Sequence, residues 1–118
     1  MPPGKRELAR IERRLIATLT DACETAKGEI KGFTWLTHIT DLNALAETLK
    51  VIWVFETLAD KKLAQVNAKT RIFELTTIAL NEANIDLSPS DNNVRFDSEE
   101  ECQRTHGGDW QKRLAKGY

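Results

Sequence analysis

Residues 32–57 read GFTWLTHITDLNALAETLKVIWVFET, and this stretch decides the fold. β-Branched and aromatic residues dominate both of its ends, which predicts one strand over 33–39 and a second over 49–56. The second strand is apolar on both faces, a pattern typical of an interior strand. The segment between the strands is a connection with room for one helical turn. A small sheet is therefore expected inside a chain whose other segments have helical periodicity.

Alternation along the first strand assigns its side chains to two faces. Phe33 and Trp35 fall on one face, and His38 falls on the other. Trp35 is therefore the predicted core anchor of this strand. His38 is expected to face either solvent or a second layer near Cys102 and His106.

Helical patterns lie on both sides of the sheet segment. Apolar residues recur at steps of three and four over 5–27, after prolines at positions 2 and 3, and Gly28 is expected to end this helix. Over 58–84 two apolar stripes meet out of phase near 67–69, which predicts two helices or one broken helix. We expect the first two helical segments to pack on one face of the sheet.

The last third of the chain carries clear boundary signals. Turn residues fill 86–93, and a short third strand is predicted over 94–96. The sequence of 98–101 is a capping box that begins a helix, the glycine pair at 107–108 ends it, and 109–115 form a last short helix. The order is α-β-β-α(α)-β-α, and the fold class is α+β: a small three-stranded sheet with helices packed on it.

Composition limits the classes of protein that the chain can belong to. It has 118 residues, of which 41% are hydrophobic and 30% charged, as in soluble globular proteins. We expect one domain over residues 1–118. No apolar run approaches the roughly 20 residues that cross a bilayer, so no membrane association is expected. Two cysteines, Cys23 and Cys102, are typical of free thiols in the cytoplasm.

The net charge of −1 hides an uneven distribution. Residues 1–20 have five basic and two acidic side chains, a surplus of +3, whereas 81–102 have seven acidic and one basic, a surplus of −6. Residues 103–118, with four basic and one acidic, return to +3. Basic side chains recur at spacings near three and four on the first helix, and others follow in the last one. The residues predicted to contact phosphates are Arg6, Arg10, Arg13, Arg14, Lys112 and Arg113. The alternative is an ordinary solvated helix face.

A family resemblance extends over most of the chain from Ala22 onward. It is carried by Trp35-Leu36-Thr37-His38 and by the pattern Asp-x-Glu-x-x-Cys-x-x-x-His-x-Gly-x-Trp over 97–110. These features resemble a group of short bacterial proteins often labelled Fis-family transcriptional regulators. The label implies DNA binding and gene control in the cytoplasm. Fis itself is an all-helical dimer with a helix-turn-helix, so the resemblance is to the labelled group and not to Fis.

Two further sets of residues are candidates for sites. Cys23, His38, Cys102 and His106 would give zinc two sulfur and two nitrogen ligands, although only the last two have a short spacing. The alternative is that Cys23 is a small core residue of the first helix and Cys102 is half-buried. The acidic residues at 97–101 could bind Mg²⁺, but their place at a predicted helix start favours capping and dipole complementation.

The remaining hypothesis is a surface that binds another protein. Trp35, His38 and Trp110 would line it, since tryptophan is frequent at interaction hot spots, although tryptophan also fills small cores. No nucleophile elbow, dinucleotide fingerprint or P-loop occurs, so the chain is predicted to be no enzyme and to need no cofactor. The sequence favours a small bacterial regulatory protein that binds nucleic acid through its basic N-terminal helix. The alternatives are a protein–protein adaptor or self-associating module without DNA binding, and a zinc-stabilised domain.

Overall fold

The computed structural model describes residues 4–118, so the prolines at positions 2 and 3 lie outside the described residues. The elements are α1 (Lys5–Glu29), β1 (Phe33–Ile39), a 3₁₀ turn (Leu42–Ala44), α2 (Leu45–Thr48), β2 (Lys50–Phe55), α3 (Leu58–Asn67), α4 (Lys69–Glu82), β3 (Val94–Ser98), α5 (Glu99–His106) and α6 (Trp110–Ala115). The predicted α+β class and the order α-β-β-α(α)-β-α are confirmed. The break near 67–69 separates α3 from α4.

The three strands form one mixed sheet in the order β1-β2-β3. β1 pairs with β2 antiparallel, and β2 pairs with β3 parallel. The residues of β2 from Val51 to Phe55 are all fully buried, which confirms the interior strand. Because β2 is apolar on both faces, the sheet needs a cover on each side.

A β-bulge changes the assignment of faces in β1. Phe33 pairs with Phe55 and Trp35 pairs with Val54, so Thr34 is an extra residue. The extra residue shifts the alternation by one, and Phe33 and Trp35 therefore point to opposite faces. The prediction that they share a face is wrong, because strict alternation assumes a strand without a bulge.

Helices α1, α3 and α4 cover the first face of the sheet, as predicted for the first two helical segments. Leu15 and Leu19 of α1 pack with Trp53 and Phe55 of β2 in a single hydrophobic cluster. Phe33 joins them, with its ring 5.0 Å from that of Trp53. The core anchor among the tryptophans is therefore Trp53 and not Trp35. Its indole Nε1 has no hydrogen-bond partner among the described residues.

Helices α5 and α6 cover the second face. Asp97 of β3 is in register with Val54 of β2, so both side chains point to the face opposite the α1–α4 cluster. Arg113 of α6 reaches Asp97, and the Trp110 ring contacts Trp35 at a centroid distance of 5.0 Å. The first and last helices of the chain consequently lie on opposite sides of the sheet.

The boundary between α1 and β1 lies further along the chain than the glycine pattern predicts. Gly28 is inside α1, which ends at Glu29, and Gly32 has the left-handed conformation with φ of 80°. The Gly32 carbonyl accepts a hydrogen bond from Glu56 N–H at 2.9 Å, just before α3 begins. The prediction that Gly28 ends the helix is wrong: glycine is common just after helix ends, but a helix interior also tolerates it at a cost in stability.

Boundaries in the last third follow the predicted signals more closely. Strand β3 is two residues longer than predicted and ends at Ser98, whose hydroxyl caps α5 by accepting from Glu101 N–H. Gly107, with φ of 61°, ends α5. Asp109 caps α6 through the N–H of Lys112. The helix start at Ser98 and the glycine stop are therefore confirmed. The capping box is only half formed, because the Ser98 N–H donates to Asp97 and not to the Glu101 carboxylate.

Candidate functional site

Four arginines form a stripe on the outer face of α1. Arg6, Arg10, Arg13 and Arg14, here called the arginine stripe, are all exposed. At 3.6 residues per turn Arg6, Arg10 and Arg13 fall on the side of the helix opposite Leu15, which is fully buried against the sheet. Arg14 lies at the edge of that side, toward α4. The core-facing pattern of α1 therefore dictates where the arginines point. They extend over about 12 Å of the helix axis.

No carboxylate neutralises most of this stripe. Within residues 4–118, Arg6, Arg10 and Arg13 form no ion pair. The Nε atom of Arg14 donates to the backbone carbonyl of Glu82 at 2.8 Å, at the C-terminal end of α4. That contact ties α1 to α4 and still leaves the guanidinium Nη atoms of Arg14 on the surface.

The local helix gains nothing from this arrangement. The pairs Arg6–Arg10 and Arg10–Arg14 are like charges at i,i+4, each of which destabilises a helix by about 0.2–0.5 kcal/mol. Lys5 and Arg6 also lie in the first turn, where the helix dipole disfavours cations. Structural needs of α1 therefore do not explain why its basic residues are clustered here.

The two basic residues predicted in the last helix do not extend the stripe. Lys112 is exposed on α6, on the other side of the sheet from α1. Arg113 is buried, and its Nε and Nη2 atoms donate to the two carboxylate oxygens of Asp97 at 2.6 and 2.8 Å. Its guanidinium is consequently not presented to a phosphate. The charge count gave no sign of this, because the burial of Arg113 depends on the packing of α6 over the sheet.

Asp97 accepts several hydrogen bonds on the second face of the sheet, under α5 and α6. Besides Arg113, it accepts from the Tyr118 hydroxyl and from Ser98 N–H. Burial alone would raise the pKa of the Asp97 carboxyl, but the hydrogen bonds from Arg113, Tyr118 and Ser98 outweigh it and lower the pKa below its ordinary value. The carboxylate is therefore ionised and internally satisfied.

The other acids of 97–101 are occupied as well. Glu99 accepts hydrogen bonds from the indoles of Trp35 and Trp110, at 2.7 and 3.0 Å. Glu101 pairs with Lys61 of α3 at 2.7 Å. Glu100 forms an ion pair with Arg104 at 2.8 Å and accepts from a backbone N–H of α3. These carboxylates connect α5 to β1, α3 and α6. Their contacts are those of structural residues and not of a Mg²⁺ site.

The predicted tryptophan surface is a contact inside the molecule. Trp35 and Trp110 pack edge to face, and both are only partly exposed. Their indole N–H groups share Glu99, which fixes the angle between the two rings. His38 lies on the other side of the sheet, facing α1, where its Nε2 is 3.4 Å from Glu12. The three residues of the predicted surface therefore do not share one face.

The cysteines and histidines divide between the two faces of the sheet. Cys23 and His38 line a groove between α1 and β1, while Cys102 and His106 belong to α5. Contrary to expectation, His38 does not face the layer that contains Cys102. Cys23 and His38 are also well separated along this groove. His38 contacts Glu12, and Cys23 is eleven residues after Glu12, or about 16 Å further along the helix axis. In the described part of the chain, no three His, Cys, Asp or Glu side chains form a group that could hold a metal ion.

The two thiols also differ from their predicted burial. Cys102 is fully buried and Cys23 is partly exposed, the reverse of the expectation. Burial raises the pKa of the Cys102 thiol, nearby carboxylates raise it further, and Arg113 opposes them. Cys102 is therefore protonated at neutral pH and inert as a nucleophile.

Two acids on the outer face of α1 are not among the residues predicted from the sequence. Asp21 and Glu24 are exposed, and Glu24 lies on the same side of the helix as Arg6, eighteen residues or about five full turns later. The outer face of α1 is thus basic in its first half and acidic in its second. A helical wheel of 5–29 contains this signal, whereas a charge count over residues 1–20 stops short of it.

Comparison with known proteins gives no relative for this chain: no family model, curated protein or solved structure matches it. Among the described residues, no helix is long and apolar enough to cross a membrane.

Proposed function

We propose that this protein binds nucleic acid through the arginine stripe of α1. The observation that carries the proposal is a row of exposed guanidinium groups without carboxylate partners, kept together at a cost to the helix itself. A polyanion would relieve the repulsion and release counterions as it binds. A regulatory role in transcription rests only on the resemblance to the group labelled Fis-family regulators.

The side chains of α1 favour phosphate contacts over base recognition. The helix contains no Phe, Tyr or Trp on which a base could stack, and no Asn or Gln to read adenine in the major groove. Arginine and the phosphate oxygens make strong, geometrically matched hydrogen bonds. Binding should therefore tolerate changes of nucleotide sequence.

The size of the stripe limits the strength of binding. Four arginines neutralise at most about four phosphates, which gives a slope of log K against log salt near −3.6 for a duplex and near −2.8 for a single strand. Affinity for a duplex should then fall by about 100-fold between 50 and 200 mM salt. This salt dependence is a direct prediction from the number of exposed guanidinium groups.

The test is a fluorescence anisotropy titration of a labelled duplex and of its single strand, repeated over a series of salt concentrations. The variant Arg10→Glu with Arg13→Glu should lose binding, because it replaces half of the stripe by carboxylates. Lys112→Glu combined with Lys116→Glu reverses the same number of charges in and just after α6, on the opposite side of the sheet, and serves as the matched control. We expect the control to bind within about twofold of the wild type at about 100 mM salt.

Absence of binding to both probes at low salt would end the proposal. Equal losses in the α1 variant and in the Lys112→Glu, Lys116→Glu control would show that net charge, and not the stripe, governs binding. Circular dichroism on each variant checks that the folded state is retained.

A protein–protein adaptor is the second candidate, and one observation favours it. Leu63 and Val66 of α3 are 51% and 80% exposed, and they lie three residues apart on the same side of the helix. An adaptor role predicts a partner whose capture is lost when Leu63→Ser and Val66→Ser are combined. The same variant should bind nucleic acid like the wild type if the arginine stripe is the nucleic-acid site.

A further inference from the structure

The outer face of α1 is self-complementary in charge. Ala17, which is exposed, marks the middle of this face, with Arg13 four residues before it and Asp21 four residues after it. Arg10 and Glu24 lie seven residues before and after the same point. Arg13 and Arg10 therefore each have an anion at the same distance on the other side of Ala17, about 6 Å from Ala17 for the first pair and about 10 Å for the second.

We propose that two copies of this chain pair through the outer faces of α1, antiparallel, with Ala17 at the crossing. A two-fold axis through Ala17 exchanges the position four residues before it with the position four residues after it. Arg13 then faces Asp21 of the second copy, and Arg10 faces Glu24 of the second copy. The symmetry repeats both contacts, which gives four ion pairs in all.

The side chains of this face allow a close crossing. Ala17 at the centre is small, so the helix axes can approach to the 8–10 Å usual for packed helices. A parallel pairing would instead oppose arginine to arginine and aspartate to aspartate. Repulsion between these like charges disfavours the parallel pairing, so the antiparallel pairing is expected.

The contact should be weak and sensitive to salt. A single pair of crossing helices buries less than the roughly 1,200 Å² typical of stable complexes, and exposed ion pairs contribute little each. Glu24 also has a contact within its own chain, 3.4 Å from Lys27, that competes with the second copy. The pair is therefore expected to form at high protein concentration and low salt, and to separate when salt screens the charges.

Pairing would also regulate the site proposed above, a consequence that rests on the proposed function. The acidic half of the second copy covers Arg10 and Arg13, so it occupies part of the surface that phosphates would contact. Self-pairing and nucleic-acid binding should then compete. Nucleic acid would shift the protein toward the monomer, and protein concentration would weaken the apparent affinity for nucleic acid.

A charge exchange tests the pairing. The acidic-face variant combines Arg10→Glu with Arg13→Glu, and the basic-face variant combines Asp21→Lys with Glu24→Lys. Each variant alone should repel its own copy, while an equimolar mixture restores all four attractive contacts. Sedimentation velocity of the full chain at about 50 mM salt measures the average mass of each sample. We expect a concentration-dependent dimer for the wild type and for the mixture, and a monomer for each variant alone.

Salt provides the second measurement. Near 500 mM salt the screening length is below about 5 Å, and the wild type should become monomeric, with its association constant lowered at least about tenfold. The pairing is overturned by a monomeric wild type at low salt, by a monomeric mixture, or by a variant that dimerises alone.

Titration of the basic-face variant with the labelled duplex separates this inference from the proposed function. That variant keeps the arginine stripe and cannot self-pair, so it should bind the duplex at least as tightly as the wild type. Dimerisation of the mixture without duplex binding by any protein would refute the proposed function and support the pairing. Duplex binding together with a monomeric mixture would support the proposed function and refute the pairing.

Discussion

Asp97 and Arg113 show how much of this fold depends on individual residues. Asp97 is 1% exposed and Arg113 is 7% exposed, and two hydrogen bonds join the guanidinium to the carboxylate. A buried ion pair of this kind contributes little over an apolar pair, but loss of one member leaves the other charged and unpaired. The pair therefore makes the second face of the sheet dependent on both residues.

The first prediction concerns the pH dependence of stability. Because the pKa of Asp97 is lowered in the folded state, the stabilisation is present above its unfolded pKa of about 3.9 and is lost as the pH falls through the lower, folded pKa. Asp97→Asn should lower the free energy of unfolding at pH 7 by about 3–5 kcal/mol and should reduce its decrease in acid. Urea denaturation at a series of pH values from about 2 to 7 gives the free energy of unfolding of both proteins and so measures both effects.

Arg104→Ala is the control for this prediction. It removes an ion pair to Glu100 whose members are 67% and 32% exposed in their side chains. Exposed pairs of this kind contribute at most about 1 kcal/mol. If Arg104→Ala and Asp97→Asn lowered stability equally, burial of the Asp97–Arg113 pair would not be the cause.

At the scale of the element, two glycines of similar sequence context have opposite roles. Gly28 lies inside α1 with open space where a Cβ atom would be. Gly32, with φ of 80°, lies between α1 and β1, and a Cβ atom there would clash with the Asp60 side chain. Gly32 thus lets the chain leave the helix and pass close to the start of α3.

The second prediction is that alanine has opposite effects at these two positions. Gly28→Ala should raise the free energy of unfolding by about 0.5–1 kcal/mol, because alanine has the higher helix propensity. Gly32→Ala should lower it by at least about 1–2 kcal/mol, since the left-handed conformation and the contact with Asp60 both disfavour a methyl group. Thermal or urea denaturation of the two variants side by side measures the difference. A stabilising Gly32→Ala would contradict the turn described here.

At the scale of the whole molecule, the two faces of the sheet are held in different ways. The face under α1 and α4 is an apolar cluster, whereas the face under α5 and α6 relies on Asp97, Glu99 and Glu101 for much of its attachment. The carboxylates of the second layer are paired internally, and the arginines of α1 are not. The acids at 97–101 are consequently held by partners within the structure, and the basic surplus of the N-terminal half of α1 remains at the surface.

The third prediction is that nucleic acid stabilises the whole fold through the arginine stripe. A ligand that binds only the folded state, present at about 100 times its Kd, adds about 2.7 kcal/mol, which should raise the Tm of a chain of this size by about 5 °C or more. Differential scanning fluorimetry at low salt measures the shift. The Arg10→Glu, Arg13→Glu variant should show no shift.

Local signals in the sequence predicted the elements well. Strand alternation gave β1 from Phe33 to Ile39, the apolar β2 was identified as interior, and the capping box at Ser98 began α5. These features depend on neighbours a few residues apart, so short-range chemistry determines them. The position of the arginine stripe also follows from sequence, since the buried face of α1 fixes the exposed one.

Tertiary structure alone decided which distant residues meet. The bulge at Thr34 reversed the face of Phe33, and the packing of α6 buried Arg113 against Asp97 instead of leaving it on the surface. It also separated Cys23 and His38 from Cys102 and His106 by placing them on opposite faces of the sheet. Composition and spacing determined the elements and the charge of α1. Register shifts and long-range packing depend on energies summed over the whole chain, and no short stretch of sequence contains them.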